Sequence, residues 1–313
     1  MDEGFRHEPV MLSEIVEVFS TVPAGWLVDM TLGGGGHARR LLETRPDCRL
    51  LGIDRDRAAL AAARRALAGF GDRVTTEQVR FDSLDSVMEQ LAIPEVSGVL
   101  FDLGVSSHQF DEPTRGFSYR SDAPLDMRMD TSARWSAADV VNGYSETEIV
   151  RVLEEYGDER FARRIAAAIV AARPIETTFQ LAEIVRSAIP AAARRRGGHP
   201  AKRTFQAIRI EVNAELEILP GAIERAIGAT RVGGRVAVLS YHSGEDRIVK
   251  SVFRRAATGG CSCPPGLPCA CGAVRTVRIV RPEKRTPTVA EIDRNPRAES
   301  AVLRVVEKIA SGQ

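Results

Sequence analysis

Hydrophobic residues occur along this chain in short runs that alternate with amphipathic segments. The runs have the length of buried β-strands and end in polar or glycine-rich turns. We predict four such strands, at 26–28, 49–53, 74–79 and 96–103. The segments between them carry apolar residues at helical spacing, most clearly at 57–68, and Ile15, Val18 and Phe19 share one helix face near the start. This alternation is typical of an α/β fold with a parallel sheet and right-handed crossovers.

The pattern changes after residue 111. Between 112 and 203 the sequence carries no strand signal, and helical segments dominate, one of them opening on a capping box formed by Ser145 and Glu148. We predict a long helix over 204–218, its continuation over 219–229, and further strands at 233–241 and 300–308. The sequence therefore predicts an α/β domain built from 1–111 and 204–313, interrupted by an all-helical insertion at 112–203.

Four consecutive glycines, Gly33 to Gly36, separate the first strand from the helix that follows it. Glycine reaches positive φ angles without strain and lets a ligand approach the backbone without meeting a Cβ atom. At a strand-to-helix turn such residues also direct free N–H groups at the ligand. The alternative interpretation of the four glycines is a flexible loop without a ligand. Because they stand between a strand and a helix, we favour a binding site for a nucleotide-like ligand.

Acidic or aromatic residues stand at the predicted carboxyl ends of the next three strands. Asp54 lies about twenty residues beyond the glycines, where doubly wound folds place the carboxylate that binds ribose hydroxyls. A helix cap is the alternative for Asp54, although Asp56 suits capping better. Phe81 either lies beside an adenine ring or packs in the core, and Asp102 ends the fourth strand. Since ligands of such sheets bind at these strand ends, the convergence supports one site.

Charge and hydropathy limit the classes of partner. The net charge is only +1, so a nucleic acid would have to bind a local basic patch rather than the whole surface. Basic residues are densest in the segment 194–203, comprising Arg194, Arg195, Arg196, Lys202 and Arg203. This segment is our candidate for phosphate contacts, with a solvated arginine-rich loop as the alternative. Without a long apolar run or a secretory leader, we expect a cytoplasmic protein that does not enter membranes.

Four of the five cysteines fall within one short window. They form two C-x-C pairs, namely Cys261 with Cys263 and Cys269 with Cys271. Four thiolates are a possible tetrahedral zinc site, although pairs with one intervening residue are tighter than usual. Free thiols and redox pairing are the alternatives. The isolated Cys48 is expected in the core.

Several blocks of the sequence are recognisable together. They are HEPVML at 7–12, DMTLGGGGH at 29–37, DLGVSS at 102–107, RGFS at 115–118, PLDMRMD at 124–130, YGDERFA at 156–162, RTFQAIR at 203–209, SYHSGEDR at 240–247 and NPRA at 295–298. Through these blocks the chain resembles, nearly end to end, the bacterial RsmH (MraW) family. These proteins are S-adenosylmethionine-dependent methyltransferases of small-subunit ribosomal RNA.

The resemblance implies a class I (Rossmann-like) methyltransferase domain that carries a helical insertion for substrate recognition. It implies N4-methylation of cytidine 1402 in the decoding region of 16S rRNA within the small subunit. The cofactor contacts it implies are Gly34, Gly35, Gly36, His37, Asp54, Phe81, Asp102 and Gln109. The cysteine window falls where the family varies, so the resemblance is no argument for zinc. The oligomeric state is left open, a homodimer included.

Methylation of a cytosine amine suggests two catalytic candidates. Asp102 could accept a hydrogen bond from the reacting amine, and His242 could take up the proton that is released. Ser243 with Asp246 fits the N-cap signature of the helix that follows. Two other functions are alternatives. An NAD-dependent oxidoreductase would use the G-x-G-x-x-A pattern that starts at Gly33, and a ribosome-assembly protein would bind S-adenosylmethionine without catalysis.

Overall fold

The computed structural model describes residues 9–105, 110, 112–194, 199–264 and 270–309. The chain divides into two compact units. One consists of Met1–Gly104 together with Leu216–Gln313, and the other of Val105–Glu215. The second unit contains the whole predicted insertion and begins earlier and ends later than 112–203. No helix within the described ranges has both the length and the apolar character needed to cross a membrane.

The first unit is built on one sheet of seven strands. They are β1 Gly25–Asp29, β2 Cys48–Asp54, β3 Val74–Gln78, β4 Val96–Asp102, β5 Thr230–Ser240, β6 Val277–Ile279 and β7 Val302–Lys308. Their order across the sheet is β3-β2-β1-β4-β5-β7-β6. The first five strands pair in parallel, whereas β7 runs antiparallel to both β5 and β6. The predicted class I α/β fold is confirmed, with β6 as a strand that the periodicity did not indicate.

Helices accompany the strands and make up most of the second unit. Within the described ranges they are α1 Leu12–Ser20, α2 Gly36–Thr44, α3 Arg57–Leu67, α4 Leu84–Gln90, α5 Ala137–Gly143, α6 Glu146–Gly157, α7 Ala162–Ala171, α8 Thr178–Ala188, α9 Ala191–Arg194, α10 Lys202–Asn213, α11 Glu215–Ala229, α12 Ser243–Thr258 and α13 Val289–Arg294. Within 112–194 and 199–215 the second unit has no strand, only an isolated bridge between Pro124 and Thr177.

The sheet is buried on both faces, which explains why its strands are continuous apolar runs. Successive side chains point to opposite faces, so Leu100 packs in the cluster that includes α1 and α2, and Phe101 packs with α4, α11 and α12. Each fully buried side chain of this size contributes about 1.5–3 kcal/mol. Gly98 lets α1 approach, because a Cβ there would lie 2.6 Å from the ring of Phe19.

The prediction of one continuous helix over 204–218 is wrong, because the structure has two helices there, α10 and α11, with a break at Ala214. Ala214 adopts a left-handed conformation with φ of 52°, which ends α10. The preceding Asn213 side chain is buried and accepts from the N–H of Met129 at 2.9 Å while donating to the carbonyl of Met127 at 2.8 Å. Tertiary hydrogen bonds at Asn213 therefore stabilise a break that helical periodicity does not reveal.

The helical unit has its own core, in which Leu153, Ile165, Leu181 and Ile208 are among the fully buried residues. Local capping agrees with the sequence. The capping box at the start of α6 is present, and Ser145 accepts from the N–H of Glu148. The unit is thus stabilised by apolar packing between helices whose ends are capped locally.

Candidate active site

The glycine turn lies between β1 and α2. Gly33 and Gly35 have φ angles of 52° and 79°, which side-chain-bearing residues rarely adopt. Gly35 is the N-cap of α2 and offers no side chain to the amides of the first turn. Gly34 and Gly36 are exposed. The turn therefore presents uncapped backbone donors at a helix N-terminus, as a site for a polar ligand requires.

Three carboxylates cluster at the carboxyl ends of β1, β2 and β4. They belong to Asp29, Asp54 and Asp102, and His37 at the start of α2 lies among them. Asp29 is only 2% exposed and accepts from the N–H of Thr31 at 3.1 Å. Burial raises the pKa of Asp29 to about 7. The charge of His37 lowers this pKa, whereas the charges of Asp102 and Asp54 raise it further by smaller amounts. Such a shift within a group of like charges is a mark of functional sites.

Asp54 connects β2 to the glycine turn. Its two carboxylate oxygens accept from the N–H groups of Gly33 and Asp56, each at 2.8 Å. Burial raises the pKa of Asp54, while these two backbone donors oppose the shift. Asp56 accepts from the N–H of Ala58 and is the N-cap of α3, so its predicted capping role is confirmed. Each oxygen of Asp54 keeps a lone pair for a ligand hydroxyl, and ribose binding stays a prediction.

Asp102 is held from two sides by its own unit. Its Oδ1 accepts from the Tyr241 hydroxyl at 2.7 Å, and its N–H donates to Oγ1 of Thr31 at 2.7 Å. Burial, and then the charge of Asp102, raise the pKa of Tyr241. The carboxylate is therefore fixed in orientation at the end of β4.

His37 is 5% exposed, and among the residues that the structure describes neither of its ring nitrogens has a hydrogen-bond partner. Its Nε2 lies 3.5 Å from Oδ2 of Asp102, a distance that allows charge attraction. Buried polar atoms in proteins are nearly always satisfied. A polar ligand at the glycine turn would supply the missing partner, so these residues fit a nucleoside-type cofactor.

His242 is the N-cap of α12, in place of the predicted Ser243. Its Nδ1 accepts from the N–H of Glu245 at 3.4 Å, and Glu245 Oε2 accepts from the N–H groups of Tyr241 and His242 at 2.7 and 3.3 Å. The predicted capping pair of Ser243 and Asp246 is therefore wrong by one position, and the observed pair is His242 and Glu245. The cause is that Asp246 instead receives two hydrogen bonds from Arg304, at 2.7 and 3.0 Å. The His242 Nε2 lies 3.1 Å from Glu245 Oε1 but is not aligned for a hydrogen bond.

Of the remaining cofactor candidates, the structure describes Phe81 but not Gln109. Phe81 is half-buried and packs edge-on against Phe101, with ring centroids 6.0 Å apart. Gln109 lies outside the described residues.

The sequence analysis did not include Thr31 and Tyr241 in the site. It also assigned no role to Asp29, although this residue directly follows the first apolar run. A polar residue directly after a buried strand is the signal that would have included Asp29 and Tyr241.

Three cysteines of the C-x-C pairs come together. The Sγ atoms of Cys261, Cys263 and Cys271 all lie within 4.8 Å of one another, whereas Cys269 is outside the described residues. The N–H of Ala270, followed by the two neighbouring thiols, lowers the pKa of Cys263. Cys48 is buried, as expected for a core residue.

The basic segment is described only in part, because Arg195 and Arg196 lie outside the described residues. Arg194 ends α9, and its buried Nε has no hydrogen-bond partner within the described part of the chain. Lys202 and Arg203 are exposed in the first turn of α10, and Arg203 donates to the carbonyl of Asp158 at 2.7 Å. Arg203 thus has a structural contact, and phosphate binding by this segment stays a prediction.

Comparisons with known proteins agree with one another. The sequence model of the MraW methylase family matches residues 4–309. A protein from Symbiobacterium thermophilum is 52% identical over 315 residues, covering 99% of each chain, and one from Geobacter sulfurreducens is 51% identical over 310 residues, covering 97% of this chain and 99% of the relative. Both are called ribosomal RNA small subunit methyltransferase H.

Solved structures resemble the chain more distantly. An rRNA methylase from Streptococcus thermophilus gives a TM-score of 0.42 at 13% identity, covering 96% of this chain and 94% of that one. A SAM-dependent O-methyltransferase from Thermotoga maritima gives 0.43 at 10% identity, covering 98% and 69%. The family match and the identities of about one half decide the assignment. The chain belongs to the MraW methylase family, whose members are S-adenosylmethionine-dependent methyltransferases.

Proposed function

We propose that this methyltransferase methylates N4 of cytidine 1402 in 16S rRNA, in the cytoplasm and within the small ribosomal subunit. The names of the relatives that are about 50% identical support an rRNA of the small subunit as the substrate. The observation that carries the chemistry is the orientation of Asp102 by Tyr241, beside the glycine turn and the imidazole of His37, whose nitrogens have no hydrogen-bond partner among the described residues. The choice of cytidine and of N4 follows from the resemblance of the sequence blocks.

The cofactor would be held by the residues that meet at the strand ends. The turn from Gly34 to His37 would offer backbone donors other than the N–H of Gly35, which donates to the carbonyl of Leu32 at 2.8 Å. Asp54 would bind the ribose, and Phe81 would lie against the adenine. Gln109 joins this set through the resemblance alone. When bound, S-adenosylmethionine supplies a methyl group that its sulfonium has already activated, so the protein has no electrophile to generate.

The protein's own task is to align the acceptor and to keep water out. The exocyclic amine of cytosine is a weak nucleophile, because its lone pair is delocalised into the ring. A fixed acceptor for one of its N–H groups would stabilise the charge that develops on nitrogen. Asp102 suits this role since the Tyr241 hydroxyl occupies only one lone pair of Oδ1.

The amine must also lose a proton once it is methylated. We assign its uptake to His242, which follows β5 directly and whose ring is fixed by the cap of α12. Because Nδ1 accepts from the N–H of Glu245, the ring orientation is set by the helix that it caps. Nδ1 is then the unprotonated nitrogen of the neutral ring, so uptake of the proton at Nδ1 would give up this cap hydrogen bond. The imidazolium formed would lie next to the Glu245 carboxylate, whose Oε1 is 3.1 Å from Nε2.

Substrate binding would involve the helical unit. A target base has to leave its stack to be methylated, which costs a few kcal/mol. Cationic side chains of the segment 194–203 would offset this cost through contacts with phosphates. Of the described arginine and lysine residues of this segment, Lys202 and Arg203 are exposed, and Arg203 also donates to the carbonyl of Asp158.

The test is methyl transfer from isotopically labelled S-adenosylmethionine to unmethylated small subunits and, in parallel, to naked 16S rRNA. Nuclease mapping and nucleoside mass spectrometry then identify the modified base. We expect N4-methylcytidine at position 1402. Label on another base or position would overturn the proposed target. Calorimetric binding of S-adenosylmethionine with no transfer to either substrate would indicate the non-catalytic assembly protein instead.

A further inference from the structure

We propose that Cys261, Cys263 and Cys271 bind a structural Zn²⁺ ion in the loop between α12 and β6. Their three Sγ atoms lie within 4.8 Å of one another. A zinc ion with Zn–S bonds of about 2.3 Å separates tetrahedral sulfur ligands by about 3.8 Å, so small side-chain movements complete the site. The methyl transfer as proposed gives these residues no role.

The two ends of this loop are fixed next to each other. Helix α12 ends at Gly259 and Gly260, with φ angles of 65° and 70°, and the Gly260 N–H donates to the carbonyl of Arg255 at 3.0 Å. The returning chain packs directly on this end, since a Cβ at Gly259 would lie 2.5 Å from the carbonyl oxygen of Val274. Beyond it, the N–H of Thr276 donates to the carbonyl of Ala256 at 3.2 Å. The chain therefore leaves and returns at one place, where a metal ion could close the loop.

Apolar packing does not explain why the thiols meet. In the described parts of the loop, residues 261–264 and 270–276, no side chain is buried. Ordering these residues costs conformational entropy that burial does not offset here. Metal binding offsets such a cost, because the free energy of binding becomes free energy of folding.

The donor set selects the metal. Thiolates are soft ligands that favour zinc over magnesium or calcium. A disulfide would pair only two of the three thiols, and the reducing cytoplasm that we propose for this protein disfavours it. The sequence pattern predicts Cys269, outside the described residues, as the fourth ligand. A closed set of cysteine ligands is typical of structural rather than catalytic zinc.

Elemental mass spectrometry of the full chain, purified with reductant and without chelator, tests the proposal. We expect one zinc ion per chain in the wild type, with loss of zinc and a lower unfolding temperature in C263S and C271S. The matched control is S262A, which changes the exposed residue between two ligands and should keep both the zinc and the unfolding temperature.

Because the cysteine variants could also fold poorly, the wild type is tested without mutation. Removal of zinc by a chelator should lower the unfolding temperature, and Zn²⁺ alone should restore it. Substitution with Co²⁺ should produce the absorption of thiolate-to-cobalt charge transfer. The proposal is overturned by wild-type protein that binds no zinc when supplied with Zn²⁺ and reductant, by full zinc occupancy in C263S, or by a stoichiometric metal other than zinc.

Discussion

The hydroxyl of Tyr241 donates a 2.7 Å hydrogen bond to Oδ1 of Asp102 and thereby links the ends of β5 and β4. The two residues stand 139 positions apart in the chain. A hydrogen bond to a charged group is worth about 1.5–3 kcal/mol, and this one orients the carboxylate beside the glycine turn. Its removal is accordingly the most direct test of the proposed site.

We expect Y241F to lower methyl-transfer activity by roughly tenfold or more, because Asp102 loses its oriented donor. Y144F is the matched control. Tyr144 likewise donates to a carboxylate, Glu211, at 2.9 Å, but in the helical unit. Steady-state kinetics and calorimetry with S-adenosylmethionine are the measurements. Equal activities for Y241F and the wild type would remove Tyr241 from the site.

Asp54 should be required for cofactor affinity. The two oxygens of Asp54 accept from the N–H groups of Gly33 and Asp56. In D54N the side-chain NH₂ takes the place of one oxygen, so one of these backbone N–H groups loses its acceptor. We expect the affinity for S-adenosylmethionine to fall by about tenfold or more. D56N is the neighbouring control, because asparagine caps a helix about as well as aspartate. A dissociation constant for D54N that matches that of D56N would contradict the ribose assignment.

Asp29 makes stability depend on pH in a defined direction. Its folded-state pKa is raised from 3.8 to about 7 by burial, so between these values the folded protein holds a proton that the unfolded chain has lost. Stability therefore falls as pH rises through this window. D29N keeps an oxygen to accept from Thr31 and should gain stability relative to the wild type from about pH 4 to 7, by a few kcal/mol at most.

Chemical denaturation at a series of pH values measures this difference. D47N is the control of opposite sign, because a hydrogen bond from Arg45 lowers the pKa of the exposed Asp47 to about 2. Any stability that Asp47 adds is present above its unfolded pKa and is lost only as pH falls towards 2. Parallel pH profiles for D29N and the wild type would show that Asp29 is ionised when folded.

The two roles of His242 can be separated by substitution. H242N retains a good N-cap residue but lacks an imidazole, whereas H242A lacks both and should lose about 0.5–2 kcal/mol of stability. We expect H242N to fold normally, to bind S-adenosylmethionine as the wild type does and to show a lower kcat. A wild-type kcat in H242N would limit His242 to capping α12.

The basic segment should determine how RNA binding depends on salt. Changing Arg194, Arg195 and Arg196 to glutamine should weaken binding and flatten the plot of log affinity against log salt, by roughly 0.7 for each lost contact to single-stranded RNA. The control is R225Q, which removes an exposed cation, 3.5 Å from Asp85, from the other unit. Fluorescence anisotropy at several salt concentrations is the measurement. An unchanged slope in the triple variant would move the RNA contact to another surface.

The sequence by itself determined the features that depend on near neighbours. Apolar runs predicted four of the five parallel strands to within about two residues, and the fifth, expected at 233–241 and observed at Thr230–Ser240, to within about three. The glycines predicted the positive φ angles of the turn, and the spacing of Ser145 and Glu148 predicted a capping box. All of these depend on φ/ψ preference or on side chains a few residues away, which is why a linear pattern reveals them.

Only the tertiary structure decided the contacts between distant segments. The sheet order brings Tyr241 next to Asp102. The buried side chain of Asn213 stabilises the end of α10 at Ala214. The N-cap of α12 is His242, because Asp246 is hydrogen-bonded to Arg304. In each case the partner comes from another strand, helix or loop, and no periodicity encodes its distance. The residues of the glycine turn alone predict a ligand site, whereas the orientation of the carboxylate beside it depends on how the strands are ordered in the sheet.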